Sequence, residues 1–353
     1  RTADDGGYVN SFEDPEKPRA LSVPAGMGCQ LRDAMDRLVE ELEEEIPRAF
    51  EGEEYQKEGQ RIQQELQQRQ KKVVEELNEE VEEEGFRLVQ TPQGLALTPV
   101  EDGEVIAPDA FEELDEERKS ELEAKQEELQ EKVRDTMRRV QSMQQEAKEE
   151  VRRLDRQVAE FTVQHLMDEL EERFEDHEQV LEYLRAVRAD IPDRVQELKS
   201  QREQQHQQSQ DASQMALAMS GQQDPGFDRY RVNLIVDNCE TEGAPMVLEG
   251  NPTAPNLIGR IEHEARFGAL LTNFRMLRPG ALHRANGGFL LVEARDLLTR
   301  PFAWLALKRA LKTQEIRIES MAAQFSLITT RTLEPEPIPL DIKVVVIGDA
   351  FIH

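Results

Sequence analysis

The chain has 353 residues, 38% hydrophobic and 33% charged, and its 73 acidic against 44 basic side chains leave a net charge of −29. That composition argues against one compact globule. A surface so acidic repels phosphate backbones and anionic lipid, so neither nucleic acid nor membrane is an expected partner. The imbalance is uneven. From Phe227 onward there are 15 Lys/Arg and 15 Asp/Glu, so the whole acidic excess belongs to residues 1–226.

Residues 1–29 open with "RTADDGGYVNSFEDPEKPRALSVPAGMG", whose Pro and Gly predict an extended, turn-laden segment. Its "PAGMG" lacks the Lys-Ser/Thr with which a phosphate loop reaches phosphate and magnesium. From about Gln30 the spacing of Leu31, Met35, Leu38 and Leu42 predicts a helix, interrupted at Pro47. A second helix, about Glu53 to Glu84, carries Ile62, Leu66, Val73, Leu77 and Val81 as a narrow apolar seam. At 1.5 Å per residue it would reach roughly 48 Å. A longer helix follows Asp115, a candidate cap, and sets Val133, Val140, Ala147, Leu154 and Phe161 at heptad spacing.

Between these helices, Phe86 to Ile106 reads as a small β-hairpin unit punctuated by Pro92-Gln93-Gly94 and Glu101-Asp102-Gly103. Helix, hairpin and helix imply an antiparallel coiled-coil arm with a β tip within a helical insertion, residues 30–200. A Gln/Ser-rich tract, 201–226, reads as a linker.

Residues 227–353 differ in kind. "YRVNLIVD", "GGFLLVEA" and "DIKVVVIGD" predict strands and "RPFAWLALKRALK" a helix, an alternation that points to a parallel α/β sheet. "IRIE" and "LITT" would form a projecting hairpin, and "EHEAR" a surface helix. The expected fold class is therefore α/β plus all-α.

Few residues carry chemistry. Cys29 and Cys239 have no metal-like spacing, and a reduced cytosolic compartment is the plain reading. No paired-histidine metal motif or nucleophile elbow occurs, so no catalytic residue and no metal ligand is nominated. "MSGQQDP" is similar to an ABC-type signature loop, but Gln222 stands at its second glycine and the tract around it is low in complexity. Glu293, at the C-terminal end of a strand, stands where α/β folds place ligand contacts. Asp349 would reach the same edge if its strand is a neighbour. The pair would then hold Mg²⁺ or orient water, or both are solvated strand ends.

Several stretches together resemble the AAA+-like part of Lon-type proteases. "RPGALHRANGGFLLVEA" is similar to the Walker B region of the archaeal Lon branch, and "RTLEPEPIPLDIKVVVIGD" to its approach to the sensor 1 strand. "YVNSFEDPEKPRALSVPAGMG" and "NPTAPNLIGRIE" resemble bacterial Lon-like proteins in which a coiled-coil insertion splits that domain. The resemblance implies that Glu293 matches the Walker B aspartate and Asp349 the sensor 1 asparagine. Ala294 stands where the water-polarising glutamate would be, so use of ATP with Mg²⁺ is doubtful. It further implies that Leu257 and Ile258 face substrate near a pore loop, and that one of Arg275, Arg278 and Arg284 acts across a subunit boundary. Leu95 and Leu97, at the tip of the arm, would touch clients. The implied partners are unfolded proteins and five further copies in a hexameric ring. The phosphate loop would precede Arg1 and a Ser-Lys protease domain would follow His353. A non-enzymatic coiled-coil adaptor or scaffold with a vestigial nucleotide fold is the alternative, and an SMC-like ATPase a more distant one.

Overall fold

The computed structural model describes residues 2–91, 94–101, 104–105, 116–207, 226–266, 269–319 and 333–348. Two compact units emerge, one of residues 49–158 and one of residues 1–48 with 159–353.

The first unit is built on helical periodicity. It holds α2 (Glu53–Glu83) and most of α3 (Glu116–Arg173), while α1 (Met27–Glu51) belongs mainly to the other unit. Within the unit, Lys125 meets Glu84 and Lys132 meets Glu80, while Arg61 reaches Glu150 and Tyr55 donates to Asp155. The partner numbers fall on one helix as they rise on the other, so the two helices are antiparallel. Strands β3 (Phe86–Thr91), β4 (Gly94–Glu101) and β5 (Glu104–Val105) join them as a three-stranded antiparallel sheet. Phe86 and Leu97 pack with Leu77 and Val81 of α2 and with Leu122 and Leu129 of α3.

Two expectations change here. Pro47 does not end α1, which continues to Glu51; so near the end, its missing N–H forfeits a single helical bond. Phe161 is 81% exposed, whereas Ala159, Val163 and Met167 are buried. A straight helix drifts about 20° per heptad against a strict seven-residue repeat, so four heptads carry the seam off Phe161. Asp115 and Ile106 lie outside the described residues, and α3 begins at Glu116.

The second unit holds two sheets. Strands β1 (Asp5–Val9) and β2 (Arg19–Val23) pair antiparallel, and β6 (Asn233–Val236) joins β1 on its other side. "YRVNLIVD" therefore does not enter the parallel sheet. It docks where Gly7 lets two backbones approach: a Cβ there would lie 2.9 Å from the Asn233 carbonyl oxygen. Helix α4 (Glu178–Gln207) is tied to this region through Tyr183, whose hydroxyl donates to the Tyr230 carbonyl, and through Asp190, which accepts from the Tyr230 hydroxyl. Burial raises both tyrosine pKa values, so the two hydroxyls stay protonated.

The parallel sheet has the order β15 (Lys343–Ile347), β12 (Phe289–Glu293), β7 (Met246–Glu249). Its third strand, "MVLE", was not anticipated. Short helices α5 (Ala254–Ile258), α6 (Ala281–Arg284) and α7 (Ala294–Thr299), with α8 (Ala303–Thr313), cover one face. There Leu290 and Val292 are wholly buried against Leu282, Leu297 and Leu307. The other face leaves Met246, Leu248, Val345 and Ile347 exposed. Parallel sheets are ordinarily covered on both faces, and among the described residues only one face of this sheet is covered.

The remaining strands are short. β8 (Arg260–Ile261) pairs with β11 (Leu277–Arg278), and β9 (Glu264–Arg266) with β10 (Ala269–Leu271). "EHEAR" is thus strand, not surface helix. "IRIE" contributes β13 (Glu315–Ile316), whose partner is β14 (Ile338–Pro339); "LITT" lies outside the described residues.

Candidate functional site

The site is the carboxyl edge of the parallel sheet, where helix dipoles and strand ends converge in α/β folds. Strand β12 is aimed there by the turn before it. Gly287 adopts φ +78, and a Cβ on Gly288 would fall 2.0 Å from the Pro245 carbonyl oxygen, so only glycine lets β12 start beside the chain that enters β7. The strand then carries Glu293 to its end, exposed, in register with Ile347 of β15. The two strands are therefore neighbours. Asp349, two positions beyond Ile347, lies outside the described residues. Ala294 opens α7 and is 6% exposed, its methyl turned into the core.

Beside Glu293, the end of β7 supplies an acid that sequence reading passed over. Glu249 is paired in register with Val292, its side chain only 12% exposed. It accepts from the Asn251 N–H at 2.9 Å and from Arg284 Nη2 at 3.2 Å. The signal was weak: one acid after a short apolar run, with no spacing to Glu293 that marks a pair. The other two arginines also meet acids of this chain. Arg275 donates to Asp228 at 2.8 Å and Arg278 to Glu262 at 2.7 Å. Arg278, with Arg260 beside it, holds the Glu262 carboxyl below its ordinary range. The guanidinium groups of Arg284, Arg275 and Arg278 are themselves about half exposed, so these pairs contribute little to stability.

The apolar candidates fare differently. Leu257 is fully buried in the core under the sheet and Ile258 packs against it, because α5 is held inward by Thr253, which caps it through the Asn256 N–H. Leu257 is not a surface contact. Leu97 is 8% exposed and turned onto the two helices, since strand alternation sends its side chain to the covered face. Leu95, also on β4, pairs with Gln90.

His283, on α6, is the buried titratable group of the region. Its Nδ1 accepts from the Gly280 N–H, and burial pulls its pKa down to about 3, so it is neutral. Among the described residues its Nε2 has no hydrogen-bond partner. A cavity of about 370 Å³ opens beside it, lined also by Asp4, Ser22, Asn286 and Asp341. That cavity adjoins the amino ends of β12 and β15, opposite Glu293. Near residue 26, the N–H groups of Gly26 and Gly28 are both taken by Asp5, so the chain's own carboxylate stands where a phosphate would need them.

A parallel sheet backed by helices, with an exposed acid at its carboxyl edge, is an α/β framework that presents ligand contacts there. Residues 242–353 match the family model of the LonB-like AAA domain. Residues 5–38 match that of the Lon-like LonC helical domain. The chain is Lon-like in these two segments. It is also 30% identical over 96 residues to the "Putative Lon protease homolog" of Escherichia coli (strain K12), an alignment over 25% of this chain and 15% of that relative's length. These matches support a Lon-like protein. Among the described residues, no helix is long and apolar enough to cross a membrane.

Proposed function

We propose that this chain is the AAA-like and client-engaging portion of a cytoplasmic Lon-like serine protease that degrades unfolded polypeptides, assembled as a homo-hexameric ring. The observation that carries the reading is the end of β12. An exposed acid closes a parallel strand inside a segment matched to the LonB-like AAA domain. Glu293 would bind Mg²⁺ of a nucleotide through water, and Asp349 would take the sensor 1 role.

Ala294 has no group that can polarise water. General acid–base help is typically worth on the order of 10²–10⁴ in rate, so vigorous ATP turnover is not expected from this edge. The peptide-cleaving Ser-Lys pair would belong to residues outside 1–353. The antiparallel helices and their sheet would form an arm that captures clients. With Leu97 and Leu257 buried, Leu95 and the partly covered Ile258 remain the client-contact candidates.

The test uses the full-length protein. Mg-ATP titration by calorimetry is paired with casein degradation, with and without ATP, in wild type and in a variant lacking residues 86–106. Degradation without ATP that is lost in the deletion is expected. Tight ATP binding with strictly ATP-dependent degradation would refute the reading of Ala294. Absence of casein cleavage would favour the second reading, a scaffold with a vestigial nucleotide fold, which the same Ala294 supports.

A further inference from the structure

Cys29 and Cys239 are 210 residues apart in sequence, yet they are disulfide-bonded, with their Cα atoms 6.7 Å apart, where the sequence led to an expectation of reduced thiols. One buried carboxylate brings them together. Asp5 Oδ2 accepts from the N–H groups of Gly26 and Gly28, each at 2.8 Å, and its Oδ1 accepts from the Asn238 N–H at 2.7 Å. Gly28 and Asn238 are the residues immediately before the two cysteines. Asp5 therefore fixes both approaches without depending on the sulfur–sulfur bond. Gly28 is part of the same fit: a Cβ there would lie 2.7 Å from Asp5 Cβ.

Asp237 completes the arrangement. Its Oδ1 accepts from the Cys239 N–H at 3.0 Å and lies 3.0 Å from Cys29 Sγ, while Arg32 holds its other oxygen at 3.3 Å. Cys29 is half-buried in the first turn of α1 and Cys239 is exposed, so an oxidant can reach the pair. The sulfurs and an oxygen of Asp5 also lie close enough to suggest a metal site. With three N–H groups already on Asp5, its oxygens are poorly placed to serve as ligands.

We propose that Cys29 and Cys239 are a redox-active dithiol–disulfide latch, which ties the exit of β6 to the root of α1 when the protein meets a peroxide. Cys29 sulfur attacks one peroxide oxygen, the O–O bond breaks, and a sulfenic acid and water form. Cys239 sulfur then attacks the Cys29 sulfur, the S–O bond breaks, and a second water leaves. Two thiols lose two electrons and two protons, and hydrogen peroxide is reduced to two waters. The reaction is favoured because Asp5 keeps the thiols at high effective concentration in the reduced state. The latch rests on the fold alone and stands whether or not the chain belongs to a protease.

The test takes the full chain, reduced with dithiothreitol and freed of it, then treated with hydrogen peroxide. Thiol titration should fall from two per chain to none, and non-reducing peptide mapping should recover Cys29 joined to Cys239. The melting temperature should rise on oxidation by on the order of 5 °C, the size expected for closing a long loop. Cys29→Ser and Cys239→Ser should each abolish that rise and melt with the reduced wild type. Two free thiols after peroxide would overturn the proposal. So would disulfides only between chains, or a stoichiometric divalent metal held by the thiols of the purified protein.

Discussion

The helix-and-hairpin unit and the sheet unit reach stability by different routes. Across its 31 residues, α2 buries Ile62, Val73, Leu77 and Val81 and little else, and its remaining surface is charged. The parallel sheet instead buries Leu290 and Val292 under α6 to α8, with neighbours drawn from distant parts of the chain. A narrow seam tolerates change along most of its length but depends on the few places where it thickens. A sheet core depends on close backbone approaches that no side-chain substitution can relieve. The two units should therefore fail at different positions and respond to different variables.

The largest effect is expected at Gly288, where any side chain meets the Pro245 carbonyl. Gly288→Ala should destabilise the sheet unit by on the order of 4 kcal/mol, a size reserved for such clashes. Hydrogen exchange should show protection lost over residues 242–348 and kept over 49–158; equal loss in both would break the comparison. Next is Phe86, 1% exposed where β3 meets the two helices. Phe86→Ala should cost about 3 kcal/mol, confined by the same measurement to residues 49–158.

His283 sharpens the contrast through pH. Its folded pKa lies below its unfolded one, so the unfolded chain binds the proton first and stability is lost as pH falls from about 6.5 toward 3. Urea titrations of wild type should show about 2 kcal/mol lost between pH 7 and pH 5 that His283→Asn does not lose. A variant with the same pH slope would show that the imidazole is not the group responsible. Arg61 should matter least. It is ion-paired with Glu58 and Glu65 of α2 and reaches Glu150 of α3, all of them well exposed, and Arg61→Ala should leave the melting temperature nearly unchanged at moderate salt. A marked drop would mean that the charged face of this unit is not merely a solvated one.

Much of this was legible in the residues. The steps of four and seven from Ile62 to Val81 placed α2 within a residue of its end, and the turn signals placed the strands after Phe86. The run "GGFLLVEA" announced both β12 and the acid at its end. The candidate site was half legible: Glu293 stood out, whereas Glu249 did not, since nothing local links it to β12.

What the sequence determined by itself was the period of each element and therefore which side chains must be hidden. It also determined the chemistry at the end of β12, an acid followed by an alanine. Only the tertiary structure decided which surface hides them. It turned Leu97 onto the helices and Leu257 under the sheet, and it sent β6 to pair with β1. It also carried Cys239 across 210 residues to Cys29. The reason is physical: a local pattern records that a face is apolar or a thiol present, while the partner is set by contacts between segments far apart in the chain.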